Sequence, residues 1–439
     1  MADTIAGVAT CMGAPSGINI IRISGDNSHA TVKKIFRSKS VGSEWEYNRM
    51  YLGTIEGEDF SEKAFCVFYK APKSYTGEDV AEIHCHGGAG VTKAIFGLLL
   101  DKGARPAEAG EFTKRAFLNG KMTLSEAEGV ADMINAETSG QVKNAYKLMT
   151  GELTKGIEET ETALVSAAAM IEAKLDYPEE LEEETKPKAY EVLTKAKSLC
   201  DELIKNSSGR KILKNGADIA IIGIPNAGKS TLLNSILQED RAIVTPIAGT
   251  TRDVIKESVE ISGIKLNFLD TAGIREGADV IEKIGIEKSK RAIETADLIV
   301  FLADSTASDE EERELKELVK GKKTVFAVNK TDIGIYKKEG IQICAKDGKN
   351  VDVLTRKIIK MLDGDNMFET GIITNERHLS ALKECVGFLD DAINGYDVLP
   401  SECIAVDIYS ACSSLGRITG RSVGDEVINE IFSRFCVGK

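Results

Sequence analysis

Gly223-Ile-Pro-Asn-Ala-Gly-Lys-Ser230 is the stretch with the clearest chemistry. Its glycines, Gly223 and Gly228, let backbone N–H groups turn inward around phosphates. Lys229 brings a positive charge to the outer phosphates and Ser230 offers a hydroxyl to Mg²⁺. Further segments follow in order. Gly249-Thr-Thr-Arg-Asp253 reads as a switch loop in which Thr251 completes the Mg²⁺ shell. Asp270-Thr-Ala-Gly273 brings Asp270 to Mg²⁺ through water and the Gly273 amide to the γ-phosphate, with Thr271 and Ala272 between them. Asn329-Lys-Thr-Asp332 offers the Asp332 carboxylate to two donors on a guanine edge. Adenine lacks those donors, so the motif selects GTP over ATP. Each segment is weak alone, but together and in order they describe a GTPase. The expected nucleotide contacts are Asn226 to Thr231, Gly249 to Thr251, Asp270 to Gly273, Asn329, Lys330 and Asp332, with Ala227 and Gly228 inside the first loop.

The catalytic water has no obvious partner. The residue after Asp-x-x-Gly is Ile274, which has no hydrogen-bonding side chain, so the role falls to another group. Glu276, Asp279 and Glu282 are the nearby carboxylates. The Asn226 amide oxygen is able to ligate a monovalent cation, which would neutralise transition-state charge in place of an arginine.

The apolar run Ala217 to Ile222 supplies a buried strand before the phosphate loop, and Thr231 to Leu237 supplies a helix after it. Strands and helices alternate from Asp218 to about Leu362, as in a doubly wound parallel sheet. Residues 1 to about 118 mix strand-like runs (Ile18 to Ile23, Lys63 to Tyr69, Val80 to His84) with helical patterns, which predicts an α+β domain. From Leu124 to Leu175, and again from Ala189 to Ile204, apolar residues recur at helical spacing. Asn375 to Asn394 and Asp425 to Phe435 are helical but too short for a domain of their own, so they are expected to return to that bundle. The nucleotide domain is then an insertion in a helical host. His84 and His86 alternate on one strand face with Glu82, but no third ligand is evident and a metal site is not expected.

A net charge of -13 argues against a broad nucleic-acid surface and leaves room only for a local one. The nine cysteines form no Cys-x-x-Cys pair, a pattern of free thiols in a reducing compartment. With no signal-like N-terminus and no apolar run of about 18 residues, the expected location is cytoplasmic, without a membrane partner.

The sequence resembles the tRNA modification GTPases called MnmE or TrmE over nearly its whole length. The likeness rests on the phosphate loop, Gly-Thr-Thr-Arg-Asp, Asp-Thr-Ala-Gly-Ile-Arg-Glu, Ser74-Tyr-Thr-Gly-Glu-Asp79, Gly110-Glu-Phe-Thr-Lys-Arg-Ala-Phe-Leu-Asn-Gly-Lys121 and the terminal Ile431-Phe-Ser-Arg-Phe-Cys-Val-Gly-Lys439. It implies an N-terminal tetrahydrofolate-binding and dimerisation domain over 1–118, a discontinuous helical domain over 119–212 and 366–439, and an inserted Ras-like GTPase domain over 213–365. It further implies a homodimer that works with an FAD-dependent partner, MnmG or GidA, on the wobble uridine of certain tRNAs. There C5 would receive an aminomethyl or carboxymethylaminomethyl group, with the one-carbon unit coming from a 5-formyl- or 5,10-methylene-tetrahydrofolate. By the same resemblance K⁺ is bound by Asn226, Thr245, Ile247 and Thr250, and Mg²⁺ by Ser230 and Thr251. Glu282 orients the catalytic water beside Lys229 and Asp270, and the folate meets Arg22, Glu82, Lys121 and Lys439, with Cys436 in the same terminal motif. The family's base-contacting loop usually reads Ser-Ala where this chain has Cys344-Ala-Lys346. Its backbone N–H needs no particular side chain, so Ala345 and Lys346, together with Thr245, join the implied nucleotide contacts. The alternative reading is a ribosome-assembly or translation GTPase.

Overall fold

In a computed structural model the described residues are 3–10, 15–39, 44–176, 182–207, 209–239, 241–242, 257–269, 292–334, 337–363, 373 and 375–438. They form two compact units. One comprises Met1–Ala131, Leu148–Glu161 and Ser413–Lys439; the other comprises Asp132–Lys147 and Thr162–Cys412.

The first unit is built on a seven-stranded sheet. Its strands are β1 (Ile5–Val8), β2 (Ser16–Ser24), β3 (Phe36–Arg37), β4 (Met50–Glu56), β5 (Ser61–Tyr69), β6 (Val80–Gly87) and β7 (Arg105–Pro106), in the order β3-β4-β5-β6-β2-β1-β7. All neighbours are antiparallel except β1 and β7. Because strand side chains alternate, Ile21, Ile23, Ile83, Cys85, Cys66 and Phe68 fall on one face, where α1 (Ser28–Ile35) and α2 (Ala89–Asp101) cover them with Val32, Ile35, Ile95 and Leu99. The other face receives the residues in between. Register pairs Arg22 with Glu82 and Glu82 with Val67, and beside them Ile20 with His84, His84 with Phe65, and Phe65 with Leu52. α3 (Glu111–Leu118) and the start of α4 (Leu124–Asn135) pack on the C-terminal segment: Leu124, Ala127, Ile428, Phe432 and Phe435 share one apolar cluster with Phe117. Ile428, Phe432 and Phe435 of residues 425–435 thus pack against Leu124 and Ala127 at the start of α4.

The second unit contains a second seven-stranded sheet. Its strands are β8 (Ala217–Ile222), β9 (Arg241–Ala242), β10 (Glu257–Ile261), β11 (Ile264–Phe268), β12 (Leu298–Asp304), β13 (Thr324–Asn329) and β14 (Ile341–Gln342), in the order β14-β13-β12-β8-β11-β10-β9. β14, β13, β12, β8 and β11 pair in parallel; β10 runs antiparallel to both β11 and β9. β12 is buried at every residue, which is why it reads as the unbroken apolar run Leu-Ile-Val-Phe-Leu-Ala before its aspartate. β8 lies centrally between β12 and β11. The strand order reverses about it, so the crevice for a ligand opens at its C-terminal end. Among the described residues, the remaining helices of the two units are α5 (Ser139–Met149), α6 (Glu152–Asp176), α7 (Glu182–Asn206), α8 (Arg210–Asn215), α9 (Lys229–Glu239), α10 (Asp309–Leu318), α11 (Val351–Asp363), α12 (Glu376–Gly395), α13 (Ser401–Thr419) and α14 (Asp425–Ser433). α13 was not anticipated: its buried Ile404, Ile408, Ala411, Leu415 and Ile418 keep helical spacing among serines and cysteines. The eight described cysteines are free thiols.

Candidate functional site

Three loops meet at the C-terminal ends of β8 and β13. The phosphate loop leaves β8 at Gly223 and enters α9 at Lys229, so the N–H groups of the first helical turn and the positive end of its dipole face the loop. Asn226 and Gly228 both have positive φ, +60° and +96°. At Gly228 a Cβ would also stand 2.3 Å from the Asn329 amide nitrogen, so only glycine lets the two loops approach. Lys229 donates from Nζ to the carbonyls of Gly223 and Ile224 at 2.9 and 2.8 Å. Burial holds its pKa below that of a free lysine. A desolvated ammonium folded across a ring of amides fits a bound phosphate.

Asn329 is the junction of the three loops. Its Nδ2 donates to the Ala227 carbonyl at 2.8 Å, and its Oδ1 accepts from the Ala345 N–H at 2.9 Å. Asn329 is buried, so both bonds are shielded from water. Lys330 sits at φ +59° and pairs with Asp304 at 2.6 Å. Burial would raise the Asp304 pKa, but Lys330 and the Thr306 hydrogen bonds outweigh it and hold the carboxyl low. Thr331 donates its hydroxyl to the Ile343 carbonyl at 2.9 Å. These contacts fix the backbone leading into Asp332, whose carboxylate remains exposed. Of the expected nucleotide residues, Asn226, Ala227, Gly228, Lys229, Ser230, Thr231, Asn329, Lys330, Asp332, Ala345 and Lys346 are described. Thr245, Ile247, Gly249, Thr250, Thr251, Asp270, Thr271, Ala272, Gly273 and Glu282 lie outside the described residues.

The first unit holds a second site. A cavity of about 520 Å³ on the open face of its sheet is lined by Arg22, Glu82, Tyr75, Lys73 and Lys121, among others. Three of the four expected folate residues thus line one cavity; Lys439 lies outside the described residues. Arg22 donates from Nε to Glu82 Oε1 at 2.8 Å and stacks over the Tyr75 ring at 4.8 Å. Burial pushes the Glu82 pKa up, but His84 and Arg22 outweigh burial and hold it below the ordinary value. Lys121 donates to the Pro72 carbonyl at 3.1 Å. The loop carrying Tyr75 is anchored by Asn119, which donates to the Thr76 carbonyl at 2.7 Å, and by Glu78, which accepts from Ser24 at 2.7 Å and from Arg115 at 3.1 Å. A fixed carboxylate among three cations and an aromatic ring fits a ligand with a donor-rich flat ring and an anionic tail. Cys436 is exposed, and its carbonyl accepts from the Gly110 N–H at 3.3 Å. His86 turns to Glu62, so the two histidines do not converge on a common ligand position.

Sequence reasoning passed over Tyr75, Lys73 and the paired hydrogen bonds of Asn329. The first two flank or fall within Ser-Tyr-Thr-Gly-Glu-Asp, a stretch that offered the signal.

A central phosphate-loop strand, a Ras-like order of strands and an Asn-Lys-x-Asp loop tied to the phosphate loop define the nucleotide domain of a P-loop GTPase. Residues 4–121 match the family described as GTP-binding protein TrmE N-terminus, and 124–436 match the MnmE helical domain. Curated tRNA modification GTPases MnmE from Caldicellulosiruptor saccharolyticus and Clostridioides difficile are 39% and 40% identical to it over 453 and 456 residues, covering 100% of this chain and 99% of each relative. The chain belongs to the MnmE family of tRNA modification GTPases, and its reaction is GTP hydrolysis in the service of tRNA modification.

Proposed function

We propose that this chain hydrolyses GTP in the second unit and binds a reduced folate in the first, and that together with an FAD-dependent partner it modifies C5 of a tRNA wobble uridine. The Asn329 junction is the observation that supports the nucleotide half, because it ties the loop carrying Asp332 to the phosphate loop. Lys229 stabilises charge on the outer phosphates, Ser230 and Thr251 hold Mg²⁺, and Asp270 and Gly273 frame the γ-phosphate. Glu282 orients the attacking water. K⁺, on Asn226 with Thr245, Ile247 and Thr250, supplies positive charge that offsets what develops in the transition state. In the first unit Arg22, Glu82 and Lys121 bind and orient the folate, which supplies the one-carbon unit, and Lys439 joins them.

The assembly we infer is a homodimer. The open sheet face exposes Ile18, Met50, Leu52 and Phe65 beside Arg22 and Glu82, the kind of apolar patch that a second copy covers. We assign domain limits of 1–118, 119–212 with 366–439, and 213–365, and a cytoplasmic location. Among the described residues no helix is long and apolar enough to cross a membrane. The test is reconstitution with the flavoprotein partner, tRNA, GTP, a 5,10-methylene-tetrahydrofolate and K⁺, with mass analysis of the wobble nucleoside. A C5 substituent that depends on GTP and on K⁺ over Na⁺ is expected. An unmodified uridine beside active GTP turnover would favour the ribosome-assembly alternative.

A further inference from the structure

Two helices of the second unit meet at a pair of thiols. α7 precedes β8 and α12 follows α11, so every strand of the second sheet lies between them in sequence. The two helices pack on one another. Ala189, Leu193, Ala196 and Cys200 on α7, and Leu382, Cys385, Leu389 and Ala392 on α12, recur at helical spacing and are all buried. Where these stripes meet, Cys200 Sγ lies 3.9 Å from Cys385 Sγ, across 185 positions of sequence. The two residues are 1% and 0% exposed.

A buried thiol packs as a small hydrophobe, but two thiols in contact also share a hydrogen. The hydrogen bond from Cys385 outweighs burial and holds the Cys200 pKa below that of a free thiol. The same bond, and then burial, raise the pKa of Cys385, and the Cys412 thiol on α13 adds to the rise. Cys200 is therefore the sulfur that reacts first. It stands in the last two turns of α7, where a helix opens at least cost, so a small oxidant has a way in. An S–S bond of about 2.05 Å requires the sulfurs to close by about 2 Å, a movement shared between two side chains.

We propose that Cys200 and Cys385 form a peroxide-sensitive redox site whose oxidation staples α7 to α12, at the two ends of the segment that forms the nucleotide sheet. The Cys200 sulfur attacks one oxygen of a small peroxide. The O–O bond breaks, and the departing hydroxide takes up the proton released by Cys200 and leaves as water. The Cys385 sulfur then attacks the Cys200 sulfenic sulfur, the S–O bond breaks, and hydroxide leaves with the Cys385 proton as a second water. Two thiols and one hydrogen peroxide thus give one disulfide and two waters, and a dithiol reductant restores both thiols. The bridge closes a long loop that holds every strand of the second sheet, so it stabilises the second unit against unfolding.

The test treats the full chain with hydrogen peroxide, blocks the remaining thiols under denaturing conditions and maps the peptides by mass. Cys200 and Cys385 are expected in one cross-linked peptide lighter by two hydrogens, and the link is expected to disappear after dithiothreitol. The melting temperature of the oxidised chain is expected to rise by roughly 5–10 °C, a rise that vanishes in Cys200→Ala and in Cys385→Ala. The peptide map of the parent gives the answer even if a variant folds poorly. Recovery of Cys200 and Cys385 as separate thiols, while the exposed Cys403 and Cys436 are oxidised, would show packing thiols only and overturn the site. A Cys385–Cys412 bridge, or Cys200 carried to a sulfinic acid without a bridge, would overturn the pairing. A Cys200–Cys385 bridge that leaves the melting temperature unchanged would overturn the staple.

Discussion

The Asn329 side chain donates to the Ala227 carbonyl at 2.8 Å, across 102 positions of sequence, and so ties the loop carrying Asp332 to the phosphate loop. The bond lies in the interior, as does its companion from the Ala345 N–H. The loop carrying Asp332, the phosphate loop and the loop after β14 are therefore tied together by two buried hydrogen bonds.

Asn329→Ala strands a buried carbonyl and a buried N–H. At roughly 1–3 kcal/mol for each unsatisfied group, the second unit is expected to lose about 2–6 kcal/mol of stability. Thermal unfolding of the full chain without nucleotide reads this, and GDP is expected to recover less of the melting temperature than in the parent. A melting temperature unchanged from the parent would show that the junction contributes nothing.

Arg22→Ala removes the guanidinium that fixes Glu82 and stacks on Tyr75. A charge-assisted hydrogen bond contributes about 1.5–3 kcal/mol, so affinity for 5-formyltetrahydrofolate is expected to fall about 10- to 100-fold by titration. Equal affinity in parent and variant would remove the cavity from the folate account.

The first unit is expected to be acid-sensitive. A hydrogen bond from Arg105 holds the Asp3 pKa down; in Asp79, Glu82 and Glu111 burial pushes upward and is outweighed by the Ala71 N–H, by His84 and Arg22, and by Arg105 respectively. Depressed folded-state values mean that the unfolded chain binds protons first. Their stabilisation is complete above 4.5, the ordinary glutamate value, and is lost as pH falls through the lower folded-state values. The single tryptophan, Trp45, packs against Tyr51 and Phe68 at ring distances of 4.9 and 5.0 Å, so its fluorescence reports this unit. Urea midpoints followed at Trp45 should be level from about pH 7 to about 5 and drop below that; a midpoint that rises on acidification would contradict the sign.

Much of this was legible in the chain because burial writes itself into sequence. β8 and β12 are covered on both faces and read as apolar runs, and the phosphate loop stands where such a run meets a helix start. Arg22 and Glu82 were individually ordinary strand charges. What makes them a site is the register that sets β2 against β6, which local pattern does not contain. α13 escaped notice because its serines and cysteines mask a clear Ile404, Ile408, Ala411, Leu415, Ile418 stripe. The Asn329 junction was out of reach for another reason: a side-chain amide bridging two loops leaves no periodicity at all.

Guanine selection by the three joined loops is measured by titrating GDP and ADP into the full chain under one set of salts. Because adenine lacks the two donors that the Asp332 carboxylate would accept from, GDP is expected to bind on the order of 10³-fold or more tightly than ADP. Comparable affinity for the two would contradict the account.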